Sequence, residues 1–226
     1  MGIFKPNFEK EGRGISKDTP EKTGLALFLE TLVREFWNLI KLNFLFLLFS
    51  IPIITIPAAF GALTNVSMKL ARQQHIFVFS DFKDSFKKNW KQSSIIGVIF
   101  LFLFSMITIS LIFYSNASST NKILYVPFFI CIFINLIISF SFIYTFPLLT
   151  TVNLSLKDIL KNSLFLSILS FKNTIITLFL VLFILLISVL LLPFTFFIIL
   201  TLSFSLIAFI NSFFSWPGIN EYVIQN

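Results

Sequence analysis

The sequence predicts an all-α membrane protein: a multi-pass helix bundle with a proline-broken N-terminal hairpin and two cytoplasmic interfacial amphipathic helices. Three observations lead there: the composition, the length of the charge-free apolar segments, and the placement of the basic residues between them. Hydrophobic residues make up 57% of the 226 residues and charged residues 12%, with a mean hydropathy of +0.94. An ordinary soluble domain is about 45–50% apolar and about 25% charged. A compact aqueous fold leaves too much surface facing water to hide this much Phe, Leu and Ile. The 33 phenylalanines read as bulk for lipid-facing helices, and the lipid bilayer as the first partner.

Residues 1–24 mix both charges with Gly and Pro and are expected to form a flexible tail. They show no apolar core followed by a small-residue cleavage site, so no cleaved signal peptide is expected. Residues 25–226 read as a single membrane domain, with apolar segments at about 25–51, 57–72, 94–114, 123–149, 172–192 and 194–214. A span needs roughly 20 apolar residues, which 94–114 and 123–149 supply without a charge. The apolar stretch from Thr174 to Phe214 would be about 60 Å long as one helix, about twice the bilayer core. It must fold back, and Pro193 is the natural hinge.

The first apolar region, 42–68, allows two readings. Pro52 and Pro57 bracket a β-branched IITI, and each proline disfavours helix in the residue before it. The region is either a single broken span or a hairpin: a helix to about 51, an extended PIITIP turn, then a helix opening with Pro57 at its first position. Charge placement favours the hairpin. Lys69, Arg72, Lys83, Lys87, Lys88 and Lys91 outweigh Asp81 and Asp84 between residues 64 and 92, the mark of a cytoplasmic connection. The hairpin puts the N-terminal side in the cytoplasm too, with Lys22, Arg34 and Lys41, and alternation places 150–171 and the C-terminus there.

The stretch SDFKDSFKKNWKQ (80–92) then reads as an interfacial helix leading into the next span. Phe82, Phe86 and Trp90 form one stripe at near-helical spacing, with Phe79 close to it, and Lys83, Lys87 and Lys91 run beside them. Ser80 or Asp81 is suited to cap the start, and Asp84 precedes Lys88 at ion-pair spacing. The segment is expected to anchor the chain to anionic lipid or to dock a cytoplasmic partner; basic residues held against a membrane argue against nucleic acid. A second amphipathic helix is expected at 154–169, with Leu156, Ile159, Leu160 and Leu164 on its apolar face.

FWNLIKLN (36–43), PIITIPAAFGAL (52–63), KLARQQH (69–75) and SDFKDSFKKNWKQ (80–92) resemble the YesL-like family of bacterial membrane proteins, a domain of unknown function. KDTPEK in the N-terminal tail and the closing WPGINEY are similar to members of that family. The resemblance implies a small multi-pass protein of the bacterial cytoplasmic membrane. Members often lie in gene neighbourhoods with carbohydrate importers and sensor kinases, so an ABC importer subunit or a sensor kinase is the implied partner, and an accessory role in carbohydrate uptake the implied function. Where relatives often carry Gly-Pro, Ile56–Pro57 stands here.

Catalytic constellations are missing from the sequence. There is a single histidine, His75, and a single cysteine, Cys131, in apolar surroundings, so no metal site, disulfide or cofactor is expected. No Walker-type loop, HExxH or nucleophile elbow occurs, and the chain does not read as an enzyme. The polar residues at membrane depth are Asn43, Ser50, Thr55, Asn65, Asn135 and Asn211. If the protein binds a small ligand, the broken helix at Pro52–Pro57 is the expected place, with Thr55 in the turn, Asn43 and Asn65 flanking it, and Gly61, Ala58, Ala59 and Ala62 admitting a neighbour. The competing functional reading is a transport or channel subunit with its own small-molecule pathway.

Overall fold

The computed structural model describes residues 24–118, 121–192 and 196–225; the N-terminal tail and the Pro193 hinge lie outside the described residues. All secondary structure among the described residues is helical: α1 (Gly24–Arg34), α2 (Phe36–Phe49), α3 (Ile56–Ala71), α4 (Val78–Ser118), α5 (Tyr125–Thr151), α6 (Leu156–Leu169) and α7 (Phe171–Leu190). A final helical run comprises α8 (Phe196–Ile198), a π-helical segment Ile199–Ser203, α9 (Phe204–Ile219) and a second π segment, Asn220–Ile224. Among the described residues, five helices are long and apolar enough to cross a membrane: Ile53–Ala71, Val78–Ser118, Lys122–Thr151, Phe171–Leu190 and Phe196–Ile224. They are consistent with a membrane protein.

At the centre lies α3, which packs against α2, α4, α5 and α9. Its sequence explains why. Ala58, Ala59, Gly61 and Ala62 are all buried, and small residues let helix backbones approach where lipid supplies no hydrophobic drive. A β-carbon added at Gly61 would strike the Ser93 hydroxyl, and one at Gly97 would strike the Pro57 ring. Pro57 opposite Gly97 and Gly61 opposite Ser93 fix α3 and α4 antiparallel. α9 also packs on α3, with Ala208 among Ala59, Ala62 and Val66; Ser205, Ser212 and Ser215 of α9 are fully buried as well.

Beyond α3, phenylalanine does the packing. Phe100 and Phe104 of α4 meet Phe142 of α5 with ring centroids 5.1 and 5.9 Å apart, and Phe60 of α3 meets Phe146 at 4.8 Å. Phe28 of α1 lies against Phe209, Phe213 and Phe214 at 5.3–5.7 Å. Buried hydroxyls join the remaining elements: Ser141 meets Ser163 at 2.8 Å, and Thr174 donates to the Tyr144 hydroxyl at 3.3 Å.

Several expected boundaries change. The helix expected over 25–51 divides at Glu35, which takes hydrogen bonds from Arg34 Nε and Asn38 Nδ2, and ends at Phe49. The expected interfacial helix 80–92 and span 94–114 are one 41-residue helix, α4, because neither Gly nor Pro interrupts them before Gly97. PIITIP is not extended throughout. Pro52 alone is (ψ 111°), while Ile53–Thr55 form a 3-10 turn, closed by Thr55 Oγ1 donating to the Phe49 and Pro52 carbonyls at 2.6 Å. The buried face of α6 is Ile159, Ser163, Leu166 and Ser167; Leu164 faces outward. The last helix, expected over about 194–214, continues to Ile224 through Pro217.

Gly97→Ala is expected to destabilise the protein by about 1–3 kcal/mol through overpacking, because the rigid Pro57 ring cannot swing aside. Gly61→Ala should cost less, since the Ser93 hydroxyl can rotate. Thermal unfolding in detergent compares the two, and the opposite order would refute the account.

Candidate functional site

The five residues expected to form a site around the broken helix go to different places. Ile53 and Ile54 are 81% and 85% exposed at the tip of the turn, and Thr55 closes it. Pro57 walls an apolar groove of ≈ 580 Å³ with Phe60, Gly97, Phe100 and Phe142, which holds no polar side chain to orient a ligand. Asn43 and Asn65 serve other contacts.

Asn43 is completely buried and its amide is fully used. Nδ2 donates to the carbonyls of Leu200 (2.7 Å) and Ile199 (3.3 Å), and Oδ1 accepts from the Ser205 amide at 3.0 Å. Leu200 and Ser205 are five residues apart, the donor–acceptor interval that a π turn joins. A side chain of α2 therefore bridges the backbone groups of the π segment in the last helix.

The lysine-rich start of α4 splits into a buried and an open face. Phe82 is fully buried and Phe86 half-buried; both pack on Phe49, at 5.3 and 5.0 Å. As lipid anchors these two are corrected: they hold α4 to the turn after α2. Trp90, 50% exposed, and Phe79, 59% exposed, remain open, and Lys83, Lys87 and Lys91 are exposed beside them. Asp81 ties the helix start down, accepting from Lys69 Nζ at 2.8 Å and from the Phe77 amide at 2.9 Å. The Asp84–Lys88 ion pair expected from spacing does not form; Asp84 meets the Ser80 hydroxyl at 3.5 Å.

Between α3, α4 and the end of α5 lies a polar pocket of ≈ 350 Å³. From α4 come Asp81, Asp84, Ser85, Lys88 and Asn89; from α3, Asn65 and Lys69; and from the end of α5 and beyond, Thr150 and Asn153. Asn65 Nδ2 reaches the Thr150 carbonyl at 3.4 Å. At the same end of the bundle Arg72 stacks on Trp216, its guanidinium carbon 3.9 Å from the ring centre. Burial pushes the Arg72 pKa below its ordinary value, and Nε and Nη2 have no partner; a guanidinium stays protonated regardless. No group of three or more His, Cys, Asp or Glu that could hold a metal occurs among the described residues.

Residues 39–111 match a family described as "Protein of unknown function, DUF624". The match takes in most of α2, all of α3 and most of α4, and with them Asn43, the turn, the lysine row and the α3 and α4 walls of the pocket. No curated protein and no solved structure matches the chain.

Sequence reasoning singled out Asn43 and Asn65 but not their partners, and missed the pocket and the Arg72–Trp216 contact. One signal was present: Asp81, Asp84, Ser85, Lys88 and Asn89 recur at helical spacing, a polar face distinct from the lysine row. The contribution of Thr150 and Asn153 carries no local signal.

Asn43→Ala leaves the Leu200 carbonyl and the Ser205 amide without their partner, so a loss of about 1–3 kcal/mol is expected. Hydrogen exchange should accelerate at residues 200–205 and not in α5. Uniform acceleration across the bundle would contradict a local bridging role.

Proposed function

We propose that the chain is a multi-pass protein of the bacterial cytoplasmic membrane, without catalytic chemistry of its own, acting as an accessory or regulatory component through its basic end. The observation that carries this reading is the lysine row. Lys83, Lys87 and Lys91 stand exposed on a helix that the Phe82–Phe49 and Phe86–Phe49 contacts and the Lys69–Asp81 ion pair hold in place. A backbone already ordered as helix adds no folding cost on meeting a partner, and a row of exposed lysines complements an acidic surface.

Charge placement supports the orientation. Arg34, Lys41, Lys69, Arg72, the α4 lysines, Lys157, Lys161 and Lys172 belong to the end with the α3–α4 and α5–α6 connections, while Lys122 stands at the other. The positive-inside rule makes the first end cytoplasmic, with the C-terminus beside it. At 14 residues, α2 is about 21 Å long, short of the bilayer core. In this reading α2 and α3 enter and return, and the N-terminal side is cytoplasmic as well. The association with carbohydrate uptake, and an ABC importer subunit or a sensor kinase as the partner, rest on the YesL-like resemblance alone.

A photoreactive residue at Lys87 in native membranes tests the reading. Crosslinks to an importer subunit or a sensor kinase are expected, and the triple variant Lys83→Glu, Lys87→Glu, Lys91→Glu should abolish them while insertion stays normal. Crosslinks to lipid alone would make the row a membrane anchor.

One observation favours a transport subunit as the second reading. A cavity of ≈ 170 Å³ is walled by Phe60, Phe104, Ser139, Leu178 and Asn211, and Asn211 Oδ1 is buried there without a partner. Discontinuous helices with buried polar groups are where transporters bind solutes. On that reading Asn211→Leu stops solute uptake into cells; on the accessory reading uptake is unchanged by it and lost on reversing the lysines.

A further inference from the structure

The polar pocket lies on a different face of α4 from the lysine row, and its charges do not all pair with one another. Lys69 is taken by Asp81 at 2.8 Å. Asp84 and Lys88 remain. They do not pair, although their spacing allows it; Asp84 has only the distant Ser80 hydroxyl, and Lys88 has no partner among the described residues. The pocket thus offers one carboxylate and one ammonium, both available. The last turn of α5, the negative end of that helix, adds carbonyl acceptors to the wall.

Ser85 supplies an independent sign of a ligand. It lines the pocket, is 5% exposed, and its hydroxyl has no partner within the protein. A buried hydroxyl ordinarily finds a hydrogen bond, and rotation of this one about its Cα–Cβ bond toward the pocket would give it a partner from outside the chain.

The geometry points to a binding site for a small zwitterion, a molecule with an ammonium and an anionic group joined by a short chain. Asp84 takes the ammonium, Lys88 the anionic group, and Ser85 and the amides of Asn65 and Asn89 the remaining hydrogen bonds. A singly charged ligand would satisfy one of the two ionic groups and leave the other uncompensated; a zwitterion satisfies both. The volume, ≈ 350 Å³, is at the small end of ligand pockets. Two sources share this chemistry: the phosphoethanolamine headgroup of a membrane lipid, and a free amino acid.

Two measurements on the full-length protein separate the sources. In nanodiscs of mixed phosphatidylethanolamine and phosphatidylglycerol, native mass spectrometry reads which lipid is retained. In detergent, calorimetry reads binding of L-alanine and of phosphoethanolamine against ethanolamine alone and inorganic phosphate alone. Selective retention of phosphatidylethanolamine assigns the site to lipid; saturable binding of L-alanine without lipid selectivity assigns it to a free solute. In either case Asp84→Asn and Lys88→Gln should each weaken binding about tenfold, Lys88→Arg should restore most of it, and thermal unfolding should be unchanged because both residues are exposed. The inference is overturned if ethanolamine or phosphate alone binds as tightly as phosphoethanolamine, if the two substitutions have no effect, or if neither arm shows binding.

Discussion

A π-helical turn inside an apolar span exposes backbone groups that lipid cannot satisfy, and here another helix satisfies them. Asn43 reaches from α2 to Leu200, Ile199 and Ser205, and much of the architecture follows from that contact. It brings α2, too short to span a bilayer unaided, into the bundle against the last helix. α3 packs against both α2 and α9 beside that contact. Hydroxyls complete the satisfaction of the segment: Thr201 Oγ1 donates to the Phe197 carbonyl at 2.8 Å and Ser205 Oγ to Leu202 at 3.0 Å. The same device recurs after Pro147 in α5, where Thr150 and Thr151 hydroxyls donate to the Pro147 carbonyl at 3.0 and 2.8 Å.

Surrounding α3 on all sides requires small residues, and they come from both partners of each contact. Gly61 faces Ser93, Pro57 faces Gly97, and Ala59 and Ala62 share a cluster with Ala208. Large apolar side chains are then free to face outward, as Leu101, Ile109, Phe129, Phe133 and Phe179 do. Polar groups collect at one end, where α3 finishes, α4 starts and α5 stops. The pocket, the lysine row and Arg72 all lie in that region, and the matched segment, 39–111, includes the α3 and α4 residues that build it.

Much of this was legible in the sequence, for identifiable reasons. Charge-free stretches of sufficient length mark the long helices, two prolines mark the turn after α2, and GALT with its flanking alanines marks the close-packed helix. Facing direction was the hard part. Phe82 and Trp90 have the same apolar character and lie on one helical stripe, yet Phe82 is buried and Trp90 half-exposed. In a lipid-facing protein hydropathy does not distinguish a protein neighbour from an acyl chain, so the stripe read as an anchor. The same ambiguity placed Leu164 on the inner face of α6 in place of Ser163 and Leu166. The last apolar segment reads as ending near Phe214; inside the bundle Gly218 is buried, packed close to Ser170, and the helix continues past it. The partner of Asn43 lies 156 residues away, and no local pattern announces it.

Gly97 lies almost midway along α4, about 28 Å from Val78 and about 31 Å from Ser118 at 1.5 Å per residue. It meets Pro57 at a close approach that leaves no room for a β-carbon, and the helix is unbroken on both sides. Mechanically, α4 is a beam resting on a fulcrum. Lys87 lies about 15 Å from Gly97 at 1.5 Å per residue, so a tilt about this contact would carry the Ser118 end about twice as far as the lysines, in the opposite direction, with no change in the helix itself.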